Sequence, residues 1–351
     1  MGEPHIASCF HANAPMAGRT LVSALRDWLP NQSWSKLRRL IHSRRVTVNH
    51  TMCLDEERRL VAGDVVRVLN QSLPRSGADE IQIRHVDERL VVADKPPRMM
   101  TLRHRAERHW SQTRKTRQPA LDELLPAMLL QHEGPHAARR RRRPRLYAVH
   151  RIDRDTSGLL VFARDPLTQQ QLIQQFASRQ AGRTYLAIVL GHVAAQTITS
   201  SLVRDRGDGL RGSEPLQRKG RHAVTHVQPL QTLANYTLLE CRLETGRTHQ
   251  IRIHLAELGH PVCGDPLYRG PLGGPAIADH SGAPRLALHA TCLRLTHPVS
   301  GQQIECRSPL PDDLRCFWER LVNHVAGSDS AQPGPHCDNR VPDHPKNLPG
   351  P

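Results

Sequence analysis

The residue pattern best suited to chemistry lies at residues 150–165, which read HRIDRDTSGLLVFARD. An apolar strand is predicted to end in a charged turn, and the turn-forming residues TSG precede a second apolar strand that restarts at Leu159. Asp153 would then lie in a loop between two core strands, flanked by Arg151 and Arg154. Loops held on a rigid sheet commonly carry catalytic residues. The alternative is a surface turn held by ion pairs, which is the commoner setting for an aspartate between arginines.

Strands dominate the region that must position this loop. Downstream of residue 146, strand-like apolar stretches include GLLVFA, RTYLAIVLG, YTLLECRL and RLALHATCLRL. Helices are predicted at PLTQQQLIQQFAS, THQIRIHLAELG and PDDLRCFWERLVNHV. Paired strands are also predicted within IQIRHVDERLVVADKP, which begins just after residue 80. Strands with intervening helices but little regular βαβ alternation predict an α+β fold, in a domain that spans residues 80–323.

A separate, smaller unit is predicted at residues 18–74. It consists of two helical patterns, LVSALRDWL and WSKLRRLIHSR, followed by the strands VTVN and VVRVL. Positive charge is concentrated on the second helix and just after it, at Lys36, Arg38, Arg39, Arg44 and Arg45. One face of this unit should therefore be strongly cationic, and these residues are candidates for binding a polyanion. The stretch QSLPRSGAD at residues 71–79 is typical of a linker.

The charge of the whole chain supports a polyanionic partner. Its 351 residues contain 49 Lys and Arg against 33 Asp and Glu, which gives a net charge of +16. An insertion at residues 103–145, with consecutive arginines at 139–143, is expected to stay solvated. Its pattern LDELLPAMLL predicts one or two helical turns, because Pro126 limits the length of a helix. Residues 1–17 and 326–351 are predicted to be disordered from their composition.

Several classes of protein find no support in the sequence. No stretch approaches 18 apolar residues and the first residues lack the pattern of a secretory signal, so we expect neither a membrane span nor secretion. The 8 cysteines are scattered without a C-x-x-C pair, which favours reduced thiols in the cytoplasm. Neither glycine-rich nucleotide-binding motif occurs, so no nucleotide cofactor is expected. Since H-x-E with a downstream P-C-x-x-C is also lacking, neither a zinc deaminase nor another metal site is predicted.

The motif HRIDRDTSG resembles the catalytic motif of a family of pseudouridine synthases that act on ribosomal and transfer RNA, whose usual form is HRLD followed by TSGLL. Two further blocks match in the same order, GRTYLAIVLG at residues 182–191 and TGRTHQIRIHLAELGHPVCGDPLY at residues 245–268, and RLALHA at 285–290 also matches. Residues 18–74 resemble the small S4 RNA-binding domain that often precedes this catalytic domain. The resemblance covers most of residues 18–323 and implies a mixed, mainly antiparallel sheet.

The resemblance implies an isomerisation that needs no cofactor: the C1′–N1 bond of uridine breaks, the uracil turns, and C5 joins C1′. Charge development at C1′ is similar to that in glycoside cleavage, where a carboxylate stabilises or attacks the sugar carbon. Asp153 would supply this carboxylate, either by adding to C1′ or by removing the 2′ proton. The resemblance assigns the ion-pair partner of Asp153 to Arg252, and the residue that stacks on the target base to Tyr185. From the residues alone, Arg252 could equally lie on a helix surface and Tyr185 in the core.

The target base must leave the stack of neighbouring RNA bases to reach a carboxylate inside a pocket. Arg154 is the candidate for the side chain that fills the gap in the stack, and Arg151 is a second candidate for substrate binding. Ile253 and Leu288 are expected to line an apolar floor under the uracil, although ordinary core packing is the alternative for both.

Two hypotheses of function follow. The first is an enzyme that isomerises specific uridines in structured RNA, with large-subunit ribosomal RNA favoured over transfer RNA because family members with an appended S4 domain commonly act there. The second is a noncatalytic RNA-binding or ribosome-assembly factor with the same fold, since Arg98 stands where the family commonly carries Gly and the arginine-rich insertion follows. In both, the chain is expected to be a cytoplasmic monomer that binds RNA.

Overall fold

A computed structural model describes residues 6–48, 51–70, 72, 80–103, 107, 109–111, 115, 118–134, 144–207, 209–213, 220–271 and 273–329. These residues form two sheets, each with its own apolar core. The arginine run at 139–143 and residues 330–351 lie outside the described residues, so what the sequence predicts for them stays a prediction. Among the described helices, none is long and apolar enough to cross a membrane.

The first sheet contains four antiparallel strands, and two helices pack on it. The elements are β1 (Ile6–His11), α1 (Leu21–Trp28), α2 (Trp34–His42), β2 (Val46–Val48), β3 (Thr51–Met52) and β4 (Val65–Leu69). The strand order is β1-β4-β2-β3. Thr20 and Ser33 cap the two helices by accepting hydrogen bonds from the backbone N–H groups of Ser23 and Lys36. Both helices lie where their apolar periodicity predicts them.

The strand β1 corrects the prediction that residues 1–17 are disordered. It pairs antiparallel with β4, with Phe10 opposite Val66 and His11 opposite Val65. The Phe10 ring also stacks on Trp28, with ring centroids 5.0 Å apart. The segment is too short to show a clear period, and its hydrogen-bonding partner lies far along the chain. Its composition therefore did not indicate a strand.

The second sheet contains 11 strands. They are β5 (Gln82–Val86), β6 (Leu90–Lys95), β7 (Tyr147–Ala148), β8 (Ser157–Ala163), β9 (Gly182–Leu190), β10 (Gln196–Val203), β11 (Gly212–Ser213), β12 (Arg221–Thr232), β13 (Tyr236–Leu243), β14 (Leu288–Thr296) and β15 (Gln303–Arg307). The order is β11-β10-β12-β13-β9-β14-β8-β6-β5, while β15 pairs with β14 and β7 with β8. Of the pairings between described strands, only that of β14 with β8 is parallel. The predicted α+β fold with a mixed, mainly antiparallel sheet is confirmed.

Four helices accompany this sheet, and two of them are longer than predicted. They are α3 (Leu121–His132), α4 (Pro166–Ala177), α5 (Gln250–Glu257) and α6 (Asp312–Asp329). The helix α3 continues through Pro126, because Leu121, Leu125 and Leu129 form one buried stripe whose packing offsets the missing backbone hydrogen bond. The helix α6 continues to Asp329, where the composition predicts a disordered tail from residue 326.

The strands that hold the loop at residues 149–156 are buried on both faces of the sheet. Along β6, Val91 and Ala93 belong to the core on one face, and Leu90 and Val92 to the core on the other. The strand β8 alternates between the same two cores. Residues of α3, α5 and α6 pack on the first face and residues of α4 on the second. The loop is thus attached to strands that cannot shift without disturbing two cores, and this fixes its backbone.

Candidate active site

A cavity of about 340 Å³ opens beside the loop at residues 149–156. Five of the predicted site residues line it, and they come from that loop, from β9, from α5 and from β14. These residues are Arg151, Asp153, Tyr185, Arg252 and Leu288. Segments far apart in the sequence meet here because β9, β14 and β8 are neighbours in the sheet.

Backbone contacts hold Asp153 in place on both sides. Thr101 Oγ1 donates a hydrogen bond to the carbonyl oxygen of Ile152 at 2.9 Å. On the other side, Lys95 Nζ donates to the carbonyl oxygen of Arg154 at 3.1 Å. The Asp153 side chain itself is 21% exposed and lines the cavity. Its carboxylate is therefore accessible to a substrate while the backbone that carries it is fixed.

Lys95 is a residue of this site that sequence reasoning missed. It ends β6, is fully buried, and also donates to the carbonyl oxygen of Pro96 at 2.9 Å. Burial lowers the pKa of Lys95 to about 7, against the attraction of Asp155 and Asp153, which raises it. The available signal was a lysine that ends the apolar strand in LVVADKP. Such a buried cation needs acceptors, and here they are the carbonyl groups of Pro96 and of Arg154, the latter in the loop that carries Asp153.

Arg252 lines the cavity, but its ion-pair partner is not the predicted one. Its Nε and Nη2 atoms each donate to one carboxylate oxygen of Asp265 at 2.7 Å, and the two side chains are 3% and 0% exposed. Burial disfavours the charge, yet Asp265 raises the pKa of Arg252 above its ordinary value, and Asp153 adds to this effect. Asp153 therefore lies within the electrostatic influence of Arg252 without the direct pair that was expected. Asp265 follows α5 in a loop, and no periodic pattern in the sequence connects it to Arg252.

The structure places Tyr185 and Leu288 in the wall of the cavity, where both are nearly buried. Tyr185 is opposite Ala290 in the pairing of β9 with β14, so the sheet fixes its position. Burial raises the pKa of Tyr185 to about 12, a rise that Arg183 opposes and Asp153 reinforces. The phenol therefore stays protonated at neutral pH, and it can present an aromatic face or an O–H group to a base.

Ile253 does not line the cavity, which corrects its predicted place under the uracil. It is fully buried beyond the cavity, in a small cluster with Leu202, Ala223 and Tyr268. Ile251 lines the cavity instead. Residues two positions apart on a helix point to different sides. Because α5 is buried almost all round, it has no polar face from which the sequence could indicate the side that meets the cavity.

Arg154 does not line the cavity either, which corrects its prediction as the side chain that fills the gap in the stack. Its Nε donates to the carbonyl oxygen of Arg98 at 3.3 Å, and its Nη1 donates to that of Met52 at 3.4 Å. Met52 belongs to the first sheet, so Arg154 connects the loop that carries Asp153 to the N-terminal unit. Arg151 is the exposed arginine of the loop at the cavity, with Nη2 3.2 Å from Thr248 Oγ1.

His249 is a second residue that sequence reasoning missed. It precedes α5 with a left-handed backbone, φ +60°, which is uncommon for a residue with a side chain. Its Nδ1 lies 2.8 Å from the Tyr268 hydroxyl, and its Nε2 lies 3.9 Å from Asp153 Oδ1. Burial lowers the pKa of His249 although Asp153 opposes this, so a neutral imidazole stands beside the carboxylate. Among the described residues, no group of three or more His, Cys, Asp or Glu is arranged to hold a metal ion.

Gly158 explains why the motif at residues 150–165 contains glycine after its turn. Its φ is +117°, and a β-carbon built there would overlap the backbone of Ala290. The strands β8 and β14 run parallel at this point, with Gly158 paired to Ala290. Only glycine permits so close an approach. The approach brings the Asp153 loop next to the strand that carries Leu288.

The predicted RNA-binding residues of the N-terminal unit differ in their surroundings. The first three are exposed on α2 and the last two are partly buried just after it: Lys36, Arg38, Arg39, Arg44 and Arg45. Arg38 Nε lies 3.5 Å from Glu56 Oε2. Arg45 Nε donates to the carbonyl oxygen of Leu69 at 2.7 Å, so this side chain also stabilises the end of β4. The exposed face of α2 is the part of the predicted surface that presents its charge to solvent.

Comparison with known proteins identifies the family. Residues 89–257, a span that includes Asp153, Tyr185 and Arg252, match the family model of RNA pseudouridylate synthase. Ribosomal large subunit pseudouridine synthase D of Nitrosomonas europaea is 35% identical over 321 residues, which cover 88% of this chain and 86% of that protein. The chain belongs to the RNA pseudouridylate synthase family. The protein of the same name from Xanthomonas campestris pv. campestris is 34% identical over 332 residues, 91% of this chain and 94% of that protein.

The enzyme hypothesis is thereby confirmed, since members of this family are isomerases, and nothing in the comparisons favours the noncatalytic alternative. The solved structure of human RNA pseudouridylate synthase domain containing 4 has a similar fold. It aligns with a TM-score of 0.52 and 24% identity over 68% of this chain and 92% of that chain. At this identity the likeness concerns the fold alone. The assignment of residues 18–74 to an S4 domain stays a prediction.

Proposed function

We propose that this enzyme converts uridine to pseudouridine in large-subunit ribosomal RNA. The observation that carries the proposal is the convergence of Asp153, Tyr185 and Arg252 on one cavity, in a chain of this family. Two relatives that are similar over most of the chain are named for the large ribosomal subunit, which favours ribosomal RNA over transfer RNA.

The cavity receives one base that has left its stack. The aromatic ring of Tyr185 and the apolar side chains of Ile251 and Leu288 provide surfaces against which a uracil packs. Arg151 is exposed close to Asp153, so its side chain can support the RNA from which the base has left. Arg154 cannot do this, because its guanidinium is bonded to the carbonyl oxygen of Met52. Binding in this way brings the sugar of the target nucleotide to the Asp153 carboxylate.

The chemistry takes place between Asp153 and the sugar. The C1′–N1 bond breaks while the carboxylate either adds to C1′ or removes the 2′ proton, which the second route later returns. The uracil turns in the cavity and C5 bonds to C1′; in the first route the bond between C1′ and the Asp153 oxygen breaks at this step and frees the carboxylate. The proton on C5 then leaves and N1 gains a proton, so the product is an isomer of the substrate. Both routes need an ionised carboxylate. Arg252, fixed by Asp265, supplies a preorganised positive charge near Asp153 without a direct ion pair to its carboxylate.

The RNA outside the cavity is held through its phosphates. The proposed contacts are the exposed residues of α2, namely Lys36, Arg38 and Arg39, together with Arg44, Arg45 and the arginine-rich insertion. The net charge of +16 supports such binding, which depends on salt more than on sequence. We further propose that the enzyme acts as a cytoplasmic monomer and uses no nucleotide cofactor.

The test of this function is the variant Asp153→Asn. Joining C5 to the sugar releases the C5 hydrogen, so tritium release from a large-subunit ribosomal RNA transcript made with [5-³H]uridine reports each turnover. We expect Asp153→Asn to reduce tritium release to background. Its affinity for the RNA should stay close to that of the wild type, because one carboxylate contributes little to binding that Lys and Arg dominate.

The matched control is Asp312→Asn, a change at a carboxylate that is 88% exposed on α6, and it should retain full activity. In cells, pseudouridines are mapped by carbodiimide adducts that stop reverse transcriptase. Identical stop maps with wild type and Asp153→Asn would contradict the enzyme role of Asp153. A difference confined to transfer RNA would contradict only the proposed substrate.

A further inference from the structure

Three arginines besides Arg252 line the cavity, namely Arg151, Arg183 and Arg247. Within the described part of the chain, none of the three forms an ion pair with a carboxylate; their hydrogen bonds go to Thr248 and to backbone carbonyl groups. Asp153 is the only carboxylate among the described residues that line the cavity. This wall of the cavity therefore carries positive charge that the protein does not neutralise.

Arg183 is held firmly although it lacks a strong hydrogen-bond partner. Its guanidinium carbon lies 5.2 Å from the ring centroid of Phe176, and the His150 ring also contacts Phe176, with centroids 4.6 Å apart. Its Nη2 reaches the carbonyl oxygen of Glu244 only at 3.5 Å, which is long for a hydrogen bond. Its Nε is buried and has no hydrogen-bond partner. A buried donor without an acceptor costs free energy, so the position is suited to an acceptor that arrives with a ligand.

The neighbouring loop gives this guanidinium its space. A β-carbon built at Gly246 would overlap Arg183 Nη1. Arg247, the next residue, also lines the cavity, and its Nε donates to the carbonyl oxygen of His222 at 3.0 Å. Burial lowers the pKa of Arg183, Tyr185 opposes this, and the charge of Arg247 lowers it further. Two like charges thus lie close enough to repel, and an anion bound between them would relieve the repulsion.

We propose that Arg183, assisted by Arg247, binds a backbone phosphate of the nucleotide whose base enters the cavity. This inference rests on the proposed function and names the group of the RNA that Arg183 and Arg247 bind. A nucleotide within RNA is joined to phosphodiesters on both sides, and these are its only anionic groups. The planar guanidinium of Arg183 matches the oxygens of a phosphate, and contact with one would satisfy its buried Nε.

The first test compares Arg183→Gln with Arg183→Lys and with the control Arg242→Gln, whose side chain is 68% exposed and paired with Glu240. On the unmodified ribosomal RNA transcript, kcat/KM of Arg183→Gln should fall about tenfold to a hundredfold, the effect of losing hydrogen bonds to a charged group. Most of the fall should appear in KM. Arg183→Lys keeps the charge but not the planar fork, so its loss should be smaller. Full activity of Arg183→Gln overturns the inference.

A second variant moves the guanidinium without removing it. Gly246→Ala places a methyl group where Arg183 Nη1 lies, and Gly246 is exposed with a backbone φ that other residues can adopt. We expect Gly246→Ala to lower kcat/KM, and the double variant with Arg183→Gln to lose little more than Arg183→Gln alone. Additive losses would mean that Gly246 acts through something other than Arg183, and they would overturn this part of the inference.

The decisive test removes the phosphate charge instead. A synthetic RNA hairpin around the target uridine is made with one neutral methylphosphonate at each nearby linkage in turn. At one linkage, the neutral replacement should lower kcat/KM of the wild type about tenfold. The same replacement should leave kcat/KM of Arg183→Gln unchanged, because that variant has already lost the contact. If every neutral linkage affects both proteins equally, Arg183 has a structural role against Phe176, and the phosphate contact is wrong.

Failure of the function and failure of this inference give different results. If the wild type releases no tritium from any RNA, the proposed function is wrong. The phosphate contact is then tested by filter binding of the same transcript at several salt concentrations. Arg183→Gln should lower the slope of log K against log salt by about 0.7 to 0.9, the value of one phosphate contact. An unchanged slope overturns the contact whether or not the protein is active.

Discussion

Two regions of the cavity carry arginines. We call the position of Arg252, with its partner Asp265, the floor, and we call the wall that carries Arg151, Arg183 and Arg247 the rim. Only the charge of the floor is neutralised by a carboxylate of the described residues. Arg252 in the floor is 3% exposed and gives two hydrogen bonds of 2.7 Å to Asp265, which is 0% exposed. On the rim, Arg151, Arg183 and Arg247 have no such partner among the described carboxylates. A cation enclosed by protein must be paired. The exposed Arg151 can keep water instead, whereas Arg183 packs on Phe176 and keeps a buried N–H group without an acceptor until an anion arrives. Arg252 therefore stabilises the site, whereas the arginines of the rim are available to bind an anionic group.

The largest effect should follow from breaking the floor. Arg252→Gln leaves the Asp265 carboxylate buried without its partner, so the free energy of unfolding should fall by about 3 to 5 kcal/mol. Urea denaturation followed by circular dichroism measures this loss. The double variant Arg252→Gln with Asp265→Asn should be more stable than the sum of its single changes implies, because no charge is then buried alone. Strict additivity would show that the two residues do not act as a pair.

A smaller effect, of a different kind, is expected on the rim. Arg151→Gln should change the free energy of unfolding by less than about 0.5 kcal/mol, because this exposed side chain has no buried partner. Its kcat/KM for tritium release should still fall about tenfold, through loss of its contact with the opened RNA. The control is Arg307→Gln, at a side chain that is 71% exposed and paired with Glu305. A stability loss without an activity loss would place Arg151 with the floor.

A third effect, one that depends on pH, is expected at Lys95, which is buried like Arg252 but hydrogen-bonded only to carbonyl groups. Burial lowers its pKa to about 7, with Arg285 and Arg154 adding to this and Asp155 and Asp153 opposing it. Between pH 7 and the ordinary lysine pKa of 10.5, the unfolded chain therefore binds more protons than the folded one. Raising the pH from 7 to 9 should stabilise wild type relative to Lys95→Met, by about 1 kcal/mol per pH unit.

Urea denaturation of both proteins at several pH values in this range measures the difference. Lys95→Met also removes the hydrogen bonds to Pro96 and Arg154, but that loss contributes equally at each pH. The pH dependence of the difference therefore isolates the titration of the amine. Parallel curves for the two proteins would show that Lys95 stays charged when buried, as Arg252 does.

Local patterns in the sequence were enough to find the loop that lines the cavity and most of the elements that carry it. The turn after His150 and the apolar strands on either side predicted the loop, and Gly158, which the structure places in β8, proves to be required by contact with Ala290. Alternation and helical periodicity predicted α1, α2, β8 and β9 because each of these elements buries one face or both. Elements stabilised by remote partners, such as β1 and the full length of α3, were not predicted.

The sequence by itself determined the chemistry available to this protein: a carboxylate in a rigid loop, an aromatic strand residue, an arginine next to an apolar helix stripe, and a large positive charge. Only the tertiary structure decided how these groups are used. It paired Arg252 with Asp265, turned Ile253 away from the cavity, directed Arg154 towards Met52, and left the Nε of Arg183 without an acceptor. Periodicity shows which faces are buried, but the partner of a buried charge depends on which distant loop the fold brings against it.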